Sequence, residues 1–108
     1  MNRLECEQLD DFVVIRLRGE VDMSWSQDVR KAILDSLEHD GVGVMLDEVS
    51  YIDSSGIAAL VEGFQNARTT GKRFALVSVS DAVRAVLELA RLDRVFPIVP
   101  DVAAARAV

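Results

Sequence analysis

Tyr51-Ile52-Asp53-Ser54-Ser55-Gly56-Ile57 is the stretch at which one chain pattern gives way to another. Upstream, Val42-Gly43-Val44-Met45-Leu46 is a short apolar run opened by Gly41, and it reads as a strand. Downstream, Ile57, Leu60, Val61, Phe64 and Ala67 recur at helical spacing over three turns, and Gly71 stops them. A strand that hands over directly to an amphipathic helix is the building unit of an α/β fold. The two serines fall at the helix start, where backbone N–H groups are free and the helix dipole is positive. A hydroxyl placed there can receive, hold and display a phosphate. The same turn lies at the surface, within reach of a partner protein.

The alternation extends in both directions. Phe12-Val13-Val14-Ile15-Arg16-Leu17 is rich in β-branched and apolar residues, and Gly19 closes it, so it reads as a strand. Residues 3–8 are a weaker run that can pair with it as an edge hairpin across Leu9-Asp10-Asp11. Ser24-Trp25-Ser26-Gln27 has the form of a capping box, and Val29, Ala32, Ile33 and Leu37 continue a helix to about Glu38. Arg73-Phe74-Ala75-Leu76-Val77 reads as a buried strand. Ser80 caps a helix with Val83, Val86, Leu87 and Ala90 on one face. Val95-Phe96-Pro97-Ile98-Val99 is a strand whose proline suits an edge, and Asp101 caps a short alanine-rich helix.

The resulting order is β-β-α-β-α-β-α-β-α. Strands alternating with helices pair in parallel through right-handed crossovers, so the sheet is expected to be mostly parallel with an antiparallel strand at its start. Function in such sheets sits at the carboxyl ends of the strands. Asp53-Ser54 falls at that end, and so does Gly19-Glu20-Val21-Asp22. Two polar loops are therefore expected to meet on one rim.

Composition narrows the function classes. The 108 residues suit one domain spanning 1–108, and half of them are hydrophobic, enough for a core without disulfides. Cys6 is the single cysteine, and the polar start MNRLECEQLDD does not resemble a signal peptide. A cytoplasmic protein is the expectation. The net charge is −6 and the twelve basic residues are scattered, which argues against nucleic acid and anionic membranes as partners. It suits a chain that meets another protein.

Catalytic and metal chemistry find little support. His39 is the only histidine and has no second soft ligand at metal spacing. Cys6 has no basic neighbour in sequence and reads as structural. Thr69-Thr70-Gly71-Lys72-Arg73 lacks the first glycine and the final hydroxyl of a phosphate-binding loop. No Gly-x-Ser-x-Gly elbow surrounds Ser54, and no base accompanies it, so an enzyme is not expected. The residues call for no cofactor. The bland reading of Ser54 and Ser55 is helix capping, with Gly56 easing a tight turn. Trp25 reads as a core or half-core anchor, and Glu20 and Asp22 as turn acids or interface acids.

Asp53-Ser54-Ser55-Gly56-Ile57, with Leu17-Arg18-Gly19-Glu20-Val21-Asp22 upstream and Arg91-Leu92-Asp93-Arg94-Val95-Phe96 before the last strand, resembles the STAS domain of anti-sigma factor antagonists. The resemblance covers nearly the whole chain. It implies a βα fold with about five strands and four helices. It implies a switch in which an anti-sigma factor that is also a serine kinase phosphorylates the serine after the aspartate, here Ser54. The unphosphorylated protein would bind that kinase and free a sigma factor, and a PP2C-type phosphatase would restore the binding form. The surface implied is Glu20, Asp22, Asp53, Ser54, Ser55 and Gly56. Met45 stands where the family usually places Asp or Asn, eight residues before the aspartate, which sets it beneath the serine loop. The alternative the resemblance allows is a cytoplasmic STAS subunit of a lipid-transport ABC complex that binds its permease.

Overall fold

Nine elements form in the expected order, and the computed structural model describes residues 1–108. They are β1 (Arg3–Leu9), β2 (Phe12–Val21), α1 (Ser26–Ser36), β3 (Gly41–Ile52) and α2 (Ser54–Thr70). β4 (Arg73–Val77), α3 (Asp81–Leu89), β5 (Ile98–Val99) and α4 (Val102–Arg106) complete the chain. The sheet order is β1-β2-β3-β4-β5, with β1 antiparallel to β2 and every other pair parallel.

That order positions the rest. The strands advance across the sheet in one direction, and each parallel crossover is right-handed. Successive crossovers therefore deliver α1, α2 and α3 to the same face. Alternate strand residues confirm this. Val13, Ile15, Leu17, Val42, Val44, Leu46, Phe74 and Leu76 are buried in one cluster with Val29 and Ile33 of α1, Leu60 of α2, and Val83 and Leu87 of α3. The opposite face holds a smaller cluster of Phe12, Val14, Ala75 and Val77 under Ala105 of α4. No point exists where the strand order reverses, so there is no crevice of the doubly wound kind. The carboxyl rim instead carries the starts of three helices side by side.

Several sequence expectations need correction. β2 does not end at Leu17. It continues to Val21 beside β3, which runs to Ile52 rather than stopping at Leu46. Gly19, at φ 113°, absorbs a shift in register there instead of ending the strand. Glu20 is thus a strand residue opposite Tyr51, not a loop residue. The Ser24 capping box does not form: Trp25 is the N-cap of α1 with no side-chain bond, and Ser24 Oγ donates to Asp22 Oδ1 at 2.6 Å. The helix is two residues shorter than the expected end at Glu38. The last strand is only Ile98–Val99, because Val95 and Phe96 belong to a turn after α3 that drives Phe96 into the core beside Phe64 and Phe74.

Other expectations hold. Ser80 accepts from Val83 N and caps α3, and Asp101 accepts from Ala104 N and caps α4. Gly71 ends α2 in the left-handed region at φ 71°, with Lys72 N bonded to Ala67 O at 2.8 Å. Trp25 is half-buried against the core. No helix is long and apolar enough to cross a membrane.

Candidate functional site

Asp53 is the first residue past β3, and its backbone N–H donates to Val21 O at 3.2 Å. That bond ties the end of β3 to the end of β2. The Asp53 side chain then caps α2. Its Oδ1 accepts from Ser55 N at 2.9 Å, Gly56 N at 3.2 Å and Ser55 Oγ at 2.6 Å. The cap is therefore the aspartate, not either serine as the bland reading had it. The Ser55 hydroxyl bond is the main reason the Asp53 carboxyl sits below its ordinary value; the Gly56, Ser55 and Met23 amides add to it, against some desolvation.

The two loops expected to share a rim do meet, at the backbone bond from Asp53 N to Val21 O. Asp22 repeats the same device one strand away. Its Oδ1 accepts from Ser24 N at 3.0 Å and from Ser24 Oγ, and its carbonyl accepts from Trp25 N and Ser26 N. Asp-x-Ser thus closes both loops.

This bonding separates the two serines of the motif. Ser55 is half-buried and its hydroxyl is spent on Asp53. Ser54 is the first residue of α2, is exposed, and its Oγ makes no hydrogen bond. Gly56 is buried in the first turn of α2. A Cβ there would lie 2.6 Å from Val21 O and 2.7 Å from Ile52 Cγ1. The glycine therefore serves close approach of the helix to the strand ends, and not a positive-φ turn as the bland reading supposed.

Two further acids lie at the end of β2, the strand beside β3. Glu20 is exposed, its backbone N–H bonded to Asn2 Oδ1 at 2.9 Å, and Asp22 is half-buried. Sequence reading missed Met23 and Tyr51. Met23 is 78% exposed on the loop after β2, and Tyr51 is 49% exposed opposite Glu20. Large apolar side chains left in water beside a polar motif are the signal, and only burial reveals it.

Met45 is not beneath the serine loop. It sits on the α4 face, paired with Arg16 and Val77 and packed on the smaller cluster. α2 lies on the other face, and Asp53 is on the order of 20 Å further along β3. Its apolar side chain therefore has no contact with the serine turn. His39 and Cys6 line one open groove between β1 and α1, and no group of three metal-ligating side chains comes together. Desolvation pushes the Cys6 thiol up, away from the reactive thiolate.

Comparison with known proteins places this architecture. The profile of the STAS domain matches residues 3–105. The anti-sigma-B factor antagonist of Listeria monocytogenes is 28% identical over 98 residues, covering 88% of this chain and 86% of that protein. The crystal structure of the Thermotoga maritima protein tm1081 superposes with a TM-score of 0.87 at 26% identity, over 96% of this chain and 92% of that one. The anti-sigma factor antagonist SpoIIAA in its unphosphorylated form shares the fold, with a TM-score of 0.82 at 22% identity over 98% of each chain.

Proposed function

The chain belongs to the STAS domain family, and from that membership we propose that it is an anti-sigma factor antagonist whose partner binding is switched by phosphorylation of Ser54. One observation carries the choice of residue. Of the two hydroxyls in the motif, only that of Ser54 is exposed and unbonded, while Ser55 is held by Asp53. A kinase can therefore reach Ser54 Oγ without breaking the cap.

The charge arithmetic supports a switch without refolding. A phosphoserine adds about −1.5 to −2 at neutral pH. At the first position of a 17-residue helix, that charge meets the positive end of the dipole, so the domain tolerates it. A docked partner does not. Its surface would already be matched to Asp22, Asp53 and Glu20, and a new buried dianion costs several kcal/mol at an interface. Each ~1.4 kcal/mol is tenfold in affinity. Unphosphorylated protein would bind an anti-sigma factor serine kinase and free its sigma factor, and a PP2C-type phosphatase would reset it. SpoIIAA, which shares the fold, has been solved in both unphosphorylated and phosphorylated forms.

The test is phosphate mapping by mass spectrometry on protein from its native cell, with capture of its partner in parallel. Phosphate on Ser54, and loss of the captured anti-sigma factor with Ser54→Asp at unchanged folding, are the expected results. Phosphate confined to Ser55, or a Ser54→Asp variant that binds as tightly as the parent, refutes the switch. A transporter permease as the captured partner refutes the regulator.

A further inference from the structure

From the free edge of β1 we infer that the chain pairs with a second copy of itself, β1 against β1 in antiparallel register, to make one continuous sheet. β1 is seven residues long and unbroken in register with β2. The opposite edge, β5, has only two residues. β1 carries no proline, no bulge and no lysine; its charges, Arg3, Glu5 and Glu7, are of both signs, so they select a register. An open groove of about 470 Å³, lined by Cys6, Gln8, Ala32 and His39 among others, keeps α1 clear of it.

The hairpin decides which backbone groups are free. Leu9 and Phe12 close a two-residue turn at Asp10-Asp11, with Asp10 at φ 57°. The closing pair of such a turn exchanges both hydrogen bonds, and the pattern then alternates. Arg3, Glu5, Glu7 and Leu9 therefore bond to β2. Leu4, Cys6 and Gln8 point their N–H and C=O groups out of the edge.

A two-fold pairing must set outward residues opposite outward residues, which allows registers centred on any residue from Leu4 to Gln8; those centred on Glu7 and Gln8 leave Arg3 outside the overlap. One centred on Cys6 places Glu5 against Glu7 of the second copy twice, like charge on like charge. One centred on Leu4 overlaps only the start of the strand. The register centred on Glu5 overlaps most of β1 and places Arg3 against Glu7 of the second copy, twice. Arg3 gains most from this. Its neighbour on β2 is Arg18, which carries the same charge, and its own ion pair with Glu5 is a loose 3.5 Å. The two central Glu5 side chains face each other, one like-charge contact instead of two, each opposite Arg16 of its own β2, whose guanidinium also bonds Glu7 at 2.7 Å. On the helix face, Leu4 and Cys6 of both copies adjoin as a small apolar group. The rims carrying Ser54 point to opposite ends of the joined sheet, so both remain free.

Sedimentation equilibrium of the full chain tests the pairing, and amide hydrogen exchange tests the register. A reversible dimer is expected, with exchange at Leu4 and Cys6 slowing as concentration rises and exchange at Gln8, beyond the overlap, unchanged. Arg3→Glu is expected to weaken the dimer by about tenfold, because two attractions become repulsions. The double variant Arg3→Glu/Glu7→Arg is expected to restore it to within about threefold. All these positions are exposed, so the variants keep their fold. A protein that stays monomeric at the highest soluble concentration overturns the inference, and so does a dimer that Arg3→Glu leaves unchanged.

Discussion

Replacing Gly56 by alanine sets two effects of opposite sign against each other. In the interior of a helix, Gly→Ala is favourable by about 1 kcal/mol, since glycine has more backbone freedom to lose. At Gly56 the new methyl meets Val21 O at 2.6 Å, Ile52 Cγ1 at 2.7 Å and Val21 Cγ1 at 2.8 Å. The two side chains can rotate. The carbonyl cannot, because it is strand backbone and already accepts from Asp53 N. Overpacking of this kind costs about 1–3 kcal/mol, and three contacts this short belong in the upper half of that range. The clash wins, and the variant is expected to lose about 1–2 kcal/mol net. For a domain of this size that is a fall in Tm of roughly 5–15 °C. Urea titration should show a lower midpoint at unchanged slope, the mark of a pure stability change. Relief of the clash lifts the first turn of α2 from β2, so Ser54 amide shifts should move with it. Gly63 provides the internal control. Its Cβ would meet Ile33 Cγ2, the end of a side chain, and Phe74 Cε2 at 3.2 Å. Gly63→Ala is expected to cost less than Gly56→Ala. A Gly56→Ala protein as stable as the parent would refute the close-approach role of this residue.

Three further outcomes follow from the site. The Asp53 carboxyl is held low in the folded protein, so its stabilising effect is present above its unfolded pKa of about 3.8 and fades as pH falls through the lower folded value. Asp53→Asn should flatten the acid limb of urea midpoints measured between about pH 2 and 5; an unchanged limb would show that another carboxylate governs it. Met23→Ala should leave stability within about 0.5 kcal/mol, as expected for an exposed side chain, while weakening capture of the partner in a pull-down; full retention of binding would remove Met23 from the interface. Met45→Asp, on the far face of the sheet, should leave Ser54 phosphorylation rates unchanged in a kinase assay, and a large change in rate would mean that β3 couples the two faces.

Much of this protein is legible in its residues because much of it is local. Ser80 and Asp101 cap helices wherever a helix follows them, and Gly71 ends one for the same reason. The period of Ile57, Leu60, Val61 and Phe64 depends on nothing outside α2. What misled was equally local. Gly19 looks like a strand stop, yet cross-strand pairing to Val49 carries β2 past it. Ser24 looks like a cap, yet Asp22 is nearer and a stronger acceptor. Val95 and Phe96 have strand propensity, but the aromatic pocket formed by Phe64 and Phe74 draws Phe96 out of the sheet.

By itself the sequence determined the order of elements, the mostly parallel sheet and the motif at a strand-to-helix turn, since periodicity and capping are properties of short segments. Tertiary structure alone decided which face each residue joined and which groups remained free. The one-directional strand order sent three helices to one face and put Met45 on the other. The junction of β2 with β3 made Gly56 a contact residue. The fold of the Asp53 cap consumed one serine hydroxyl and left Ser54 in water, because hydrogen bonds are assigned by geometry between residues and not by residue type.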